Sequence, residues 1–149
     1  MKHLSIAVIL FLTVLGTAHA NTRTITGPSF AGEENFTHRF PQASGVTYKV
    51  KGQFTEVNFM WNDMKLQAFY DQEGNFLATC RAVSIGNLPL SVQMSLKNAY
   101  PGYIERDAIE YNDADDGVTY YVTIVGEKVS YLLHVSTSGT ISVFKKMKQ

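Results

Sequence analysis

The spacing of apolar residues changes period partway along the chain, and then the whole pattern begins again. Between residues 29 and 40 the rings of Phe36 and Phe40 recur four apart behind the acidic pair Glu33 and Glu34. That spacing stacks both rings on one helical face and leaves the carboxylates in the early turns, where the helix dipole favours them. Ser29 is the expected cap, and Pro41, which keeps Phe40 out of helical angles, is the expected stop, so a helix is predicted over 29–39. From Val46 the period falls to two. "VTYKV" sets Val46, Tyr48 and Val50 against Thr47 and Lys49, and "TEVNFMW" sets Val57, Phe59 and Trp61 against Glu56, Asn58 and Met60. "KLQAFY" and "NFLATCRAV" follow, and the turns at Gly52-Gln53, Asn62-Asp63 and "DQEG" are short, so these strands form an antiparallel meander.

The second half opens on "NLPLSVQMSLKNAY". Asn87 is the expected cap, Pro89 sits at the helix start, and Leu88, Val92, Leu96, Ala99 and Tyr100 form one buried stripe. Strands are predicted at about 103–111, 118–125, 128–135 and 140–145, joined by "NDADDG", "GE" and "STSG". Phe36-x-x-x-Phe40-Pro41 aligns with Leu96-x-x-x-Tyr100-Pro101, and "YDQEGNFLA" aligns with "VSTSGTISV". The expected architecture is therefore α+β: two tandem helix-plus-four-strand repeats, 29–86 and 87–149, each aromatic-Pro step ending a helix and plugging it onto the sheet.

Alternation places Tyr48, Phe59, Leu66, Tyr120, Val122, Leu133 and Val135 under the helices. The opposite face would carry Lys49, Asn58, Met60, Gln67, Phe69, Arg106, Glu110, Tyr121, Leu132 and His134, an apolar set for a bare sheet surface. Two explanations stay open. Either the face is a binding surface displaying aromatics and methionine, or the register is displaced by one residue, which would turn every side chain over.

The N-terminus changes the compartment. "MKHLSIAVILFLTVLGTAHA" has a basic start, an apolar run too short to span a bilayer, and Ala18-His19-Ala20 in the small-x-small pattern of a signal peptidase site. Residues 1–20 read as a cleaved leader and 21–28 as a flexible lead-in, leaving an exported chain with no membrane span. The leader takes Lys2 with it, so twelve Lys and Arg face thirteen Asp and Glu, a balance that gives no reason to expect nucleic acid. Cys80 is the only cysteine, which excludes an internal disulfide, and its apolar surroundings suggest a buried structural thiol.

Candidate chemistry is sparse. Past the leader only His38 and His134 remain, one in each half, a poor ligand set for a metal. "NDADDG" has the outline of a calcium loop, but Ala114 and Thr123 fall where two oxygen donors are required, so it reads as an acidic hairpin turn. No nucleophile elbow or phosphate-binding glycine loop is present, and no catalytic residue, metal or cofactor is expected.

The ordered set of repeated "F-x-x-x-F-P", paired strands, "D-x-x-G", "LP-x-x-V" and "YPGY" resembles the bacterial PepSY-like proteins, described as similar to the beta-lactamase inhibitor protein, from about residue 30 to 146. The resemblance implies a curved eight-stranded antiparallel sheet with both helices on its convex side and an open concave face that grips a partner. On this pattern the partner-binding candidates are Met60, Phe69, Tyr121 and His134 on the face, with Asp63 at a hairpin tip. The expected function is a non-catalytic periplasmic or secreted binding module for an unidentified extracytoplasmic protein, an enzyme among the candidates. The alternative is a binder of a peptide, glycan or lipid fragment, or of the envelope surface.

Overall fold

The structure, a computed structural model, describes residues 30–148; the leader, the lead-in and Ser29 lie outside the described residues. The order is α1 (Glu33–Arg39), β1 (Ser44–Lys51), β2 (Phe54–Trp61), β3 (Met64–Asp71), β4 (Phe76–Val83), a 3-10 turn (Ile85–Asn87), α2 (Leu90–Ala99), β5 (Ile104–Asp113), β6 (Gly117–Val125), β7 (Val129–Ser136) and β8 (Ile141–Lys148). The eight strands pair antiparallel in sequence order, β1 through β8, so the sheet is one meander with β1 and β8 at its edges. Among the described residues no helix is long and apolar enough to cross a membrane.

Both helices lie on the same face. Phe36 from α1 and Phe40 just after it pack with Phe30, Val57, Phe59, Leu66, Ala68 and Tyr70, while Val92 and Leu96 from α2 pack with Leu88, Val122, Leu133 and Val135. Every residue predicted to lie under the helices is found there, Tyr48 at the margin of the first cluster, so on β1, β2, β3, β6 and β7 the faces are those the alternation predicts. The aromatic-Pro steps act as expected. Phe40 is 7% exposed, with ring centroids 4.7 Å from Phe59 and 5.7 Å from Trp61, and Tyr100 stacks 5.8 Å from Tyr131.

Two turns lock the helices to the sheet in the same way. Gly74 N–H donates to Asp71 O at 3.2 Å and Asp71 N–H to Asn75 O at 3.0 Å; Gly139 N–H donates to Ser136 O at 2.9 Å and Ser136 N–H to Thr140 O at 3.0 Å. Both glycines have positive φ, +84° and +90°, and a Cβ on Gly74 would strike Ala31 just before α1, and one on Gly139 Ser91 and Ser95 of α2. Each turn also exchanges a hydrogen bond with its helix, Asn35 Nδ2 to Gly74 O at 3.3 Å and Ser91 Oγ to Thr137 O at 2.7 Å. Glycine is required at both positions for conformation and for closeness.

Three local expectations fail. The first helix starts at Glu33 with Gly32 as its cap residue, because a side chain there would collide with Tyr70 and Phe30. Pro89, not Asn87, occupies the cap position of α2, and Asn87 closes the preceding 3-10 turn. The third failure is in β5, where the register shifts between Glu105 and Asp107 and leaves Arg106 in a bulge. Past that bulge Glu110 stands opposite Tyr120 on the helix-covered face, not on the bare one. There it binds Arg81 at 2.8 and 3.1 Å through both carboxylate oxygens, in a stretch of sheet between the two helix clusters.

Candidate functional site: a trough on the bare face of the sheet

On the side away from the helices, cross-strand partners form transverse rows, since residues directly opposite one another in a ladder share a face. One row runs Thr47, Asn58, Gln67, Cys80, Tyr111, Thr119, Ser136 across β1 to β7. A neighbouring row contains Lys49, Glu56, Phe69, Ala78 and Asp113. A third has Ser44, Met60 and Lys65 in the first strands and Ala82, Ile109, Tyr121, His134 and Ser142 in the later ones.

This face has a core of its own. Phe54, Phe69, Cys80, Ile109, Tyr111, Tyr121 and Leu132 pack together with Leu77, Phe144 and Met147, and no helical residue belongs to the cluster. Phe69 and Leu132 are each 1% exposed and Tyr121 7% exposed, although no described helix packs on them. Curvature supplies the cover. Tyr121 on β6 and Phe144 on β8 have β7 between them, a backbone separation of roughly 10 Å in a flat sheet, yet their ring centroids lie 5.2 Å apart in an edge-to-face contact. Side chains of non-adjacent strands converge because the face is concave.

The trough has two unlike walls. On β1 to β4 the side chains form a hydrogen-bonded chain: Lys51 binds Glu56, Asn58 Nδ2 donates to Glu56 Oε1 at 3.0 Å, Gln67 Nε2 to Asn58 Oδ1 at 2.7 Å, and the Cys80 thiol to Gln67 Oε1 at 3.2 Å. Glu56 is 6% exposed, so this chain supplies the partners its buried charge requires. On β5 to β8 the wall is aromatic. Tyr121 meets Tyr111 at 6.0 Å and His134 at 5.2 Å between ring centroids. The Tyr111 hydroxyl donates to Asp113 at 3.2 Å, and Asp113 also accepts the Asp115 and Asp116 N–H groups, which makes "NDADDG" a carboxylate-capped turn.

Burial sets the ionisation. The Cys80 thiol is pushed up to about 12 by burial and then by the Glu56 charge, so it stays protonated and is a poor nucleophile. Burial, with Asp113 second, raises Tyr121, and burial lowers the half-buried His134. His134 Nδ1 lies 3.5 Å from Ser142 Oγ.

The candidates separate under this geometry. Tyr121 and His134 are direct cross-strand neighbours, Phe69 lies in the same packed cluster as Tyr121, and Met60, 39% exposed, stands in the trough on β2. Asp63 stands apart at the β2–β3 tip, where Asn62 and Asp63 both take positive φ, 50° and 61°, in a tight hairpin turn. The expectation that Phe69 and Tyr121 are displayed to solvent is corrected: they form the trough's floor, and the accessible groups are Met60, Lys65, His134, Ser142 and Lys145. Glu110 leaves the bare face because of the β5 bulge, and Arg106, in that bulge, pairs with its neighbour Asp107. The polar chain from Lys51 to Cys80 escaped sequence reading, although Glu56, Asn58 and Gln67 alternate with apolar residues on strands predicted to pair.

No protein-family model matches the chain, and no curated protein matches it in sequence. Solved structures do match. A BLIP-like protein from Bacteroides fragilis superimposes with a TM-score of 0.73 at 20% identity, over 85% of this chain and 91% of that one. A DUF2874 family protein from Bacteroides ovatus gives 0.71 at 16% identity, over 82% and 88%, and another from Bacteroides uniformis gives 0.70 at 12%, over 82% and 89%. The chain shares their fold over nearly its whole described length.

Proposed function

We propose that the protein is an exported, non-catalytic binding module whose trough receives part of an extracytoplasmic protein, and that its halves, 29–86 and 87–149, are copies of one helix-plus-four-strand unit. The trough itself carries this reading: a concave, helix-free face with a packed aromatic floor and an accessible rim at Met60, Lys65 and His134. A rigid floor lowers the entropy cost of docking, and aromatic groups supply large contact area. Likeness in fold to a BLIP-like protein agrees with such a role, and the leader-like residues 1–20 agree with an extracytoplasmic site of action. Enzyme inhibition is the specific form we propose, by occlusion of a partner's surface. The matching turns at Gly74 and Gly139 support duplication, because the same hydrogen bonds and the same glycine requirement recur in each half.

The test uses residues 21–149 immobilised against extracytoplasmic extract of the source organism, with His134→Glu, which puts a charge on the rim without emptying the floor, and Leu90→Glu on the far side of α2 as control. Retention of one protein by wild type and Leu90→Glu but not by His134→Glu is expected, followed by loss of that protein's activity on titration with the chain. Retention by all three, or by none, refutes the trough as a protein-binding site. The second reading, a small ligand in the trough, is favoured by the chain of polar groups along its β1 to β4 wall, and predicts ligand-dependent thermal stabilisation that His134→Glu removes.

A further inference from the structure

The last strand of the sheet presents a second surface along its outer edge, beside the trough that Phe144 and Met147 help to line. β8 pairs only with β7, so along its other side the backbone N–H and C=O groups meet no strand among the described residues. An open edge of this kind is a template for an added strand. Its charges are all positive. Lys145 faces the trough opposite Leu132, while Lys146 and Lys148 face the helix-covered side opposite Tyr131 and Val129, and all three are exposed. Neither β7 nor β8 contains a carboxylate, and none of the three lysines is ion-paired with a described residue. Val143, 53% exposed, adds apolar area on the same strand.

The opposite edge differs. β1 is distorted by a register shift between Ser44 and Thr47 with Gly45 at φ 60°, and its Lys51 is already bound to Glu56. The irregularity of β8 lies between its partners Leu132 and Leu133, at Phe144, so Lys145 to Lys148 keep regular pairing with Leu132 to Val129. A second copy presents only lysine-bearing edges, which repel β8. A strand with carboxylates does the reverse.

We infer that β8 accepts, by strand addition, an extended acidic segment of a protein partner, its carboxylates spaced to meet Lys145 on one face and Lys146 and Lys148 on the other. Backbone pairing supplies the attachment, and the lysines select the charge of what attaches. The inference stands without the trough reading, since its attachment is backbone pairing along the open side of β8; of its three lysines only Lys145 also borders the trough.

A fluorescein-labelled peptide, Thr-Glu-Val-Glu-Glu-Thr-Val-Thr, places glutamates opposite the three lysines in antiparallel register. Titrated with residues 21–149, it is expected to bind saturably and to shift the β8 backbone amides in a nitrogen–proton correlation spectrum. The same peptide with Lys for Glu should bind about tenfold more weakly, and one N-methylated at alternate residues should fail. The variant Lys145→Glu with Lys146→Glu and Lys148→Glu should bind about tenfold more weakly, three rim ion pairs being lost. The amide map is measured on wild type and stands whether or not the variant folds. No saturable binding, shifts confined to other strands, or undiminished binding of the N-methylated peptide overturns the inference. Dimerisation of the chain alone through β8, seen by sedimentation, would make a second copy the occupant and overturn it equally.

Discussion

Phe59 and Phe69 lie on neighbouring strands and are almost equally buried, 2% and 1% exposed, on opposite faces of one sheet. Phe59 is covered by a helix, its ring in contact with Phe36 at 4.9 Å and Phe40 at 4.7 Å. Phe69 has no described element above it and is enclosed by Phe54 at 6.0 Å and by its trough cluster. One face is closed by an added layer, the other by bending the sheet on itself. The difference teaches that an uncovered face need not be a free surface: the aromatic residues that invite a binding hypothesis here are also structural, and recognition falls to the rim around them.

The sharpest way to break the comparison is to empty both positions. Phe59→Ala is expected to cost about 3–5 kcal/mol in urea unfolding, because helix and sheet cannot collapse into the space, and Phe69→Ala about 3 kcal/mol. A loss below about 1 kcal/mol for Phe69→Ala would mean that the trough floor is not packed. Next in size is the polar wall. Glu56→Ala leaves the partly buried Lys51 without its carboxylate and Asn58 without an acceptor, for an expected loss of about 1–3 kcal/mol by the same measurement. A change within about 0.5 kcal/mol would show that wall to be solvated surface.

How far these faces were legible in the sequence depends on the strand. On β2, β3, β6 and β7 strict alternation assigns Phe59, Leu66, Val122 and Leu133 to the helices correctly, since burial of one face fixes register. On β5 the bulge at Arg106 adds a residue that no composition signal marks, so Glu110 is assigned to the wrong side. Curvature is harder still. Alternation tells which residues share a face but not how strongly the face bends, and so Phe69 and Tyr121 read as displayed when they are enclosed. Gly32 and Pro89 show the limit for caps: each is chosen by what the neighbouring chain leaves room for or what its own ring fixes, and side-chain capping rules see neither.

The smallest expected effect belongs to His134. Burial holds its imidazole below the ordinary value of about 6.5, so as pH falls the unfolded chain takes up the proton before the folded chain does. Its contribution to stability is complete above about 6.5 and is lost as pH falls through the lower native value. Wild type should therefore lose slightly more stability than His134→Gln between pH 7.5 and pH 5 in parallel denaturation curves. Equal losses would place the imidazole in open solvent.

The bend of the sheet can be read without any partner. In a proton spectrum of residues 21–149 with assigned aromatic resonances, Tyr121 and Phe144 should give strong ring-to-ring Overhauser effects, as expected of centroids 5.2 Å apart across an intervening strand. Their presence is the signature of a concave, self-packed trough. Rings that show contacts only to adjacent strands, with none between β6 and β8, would describe a flat bare face and contradict the account.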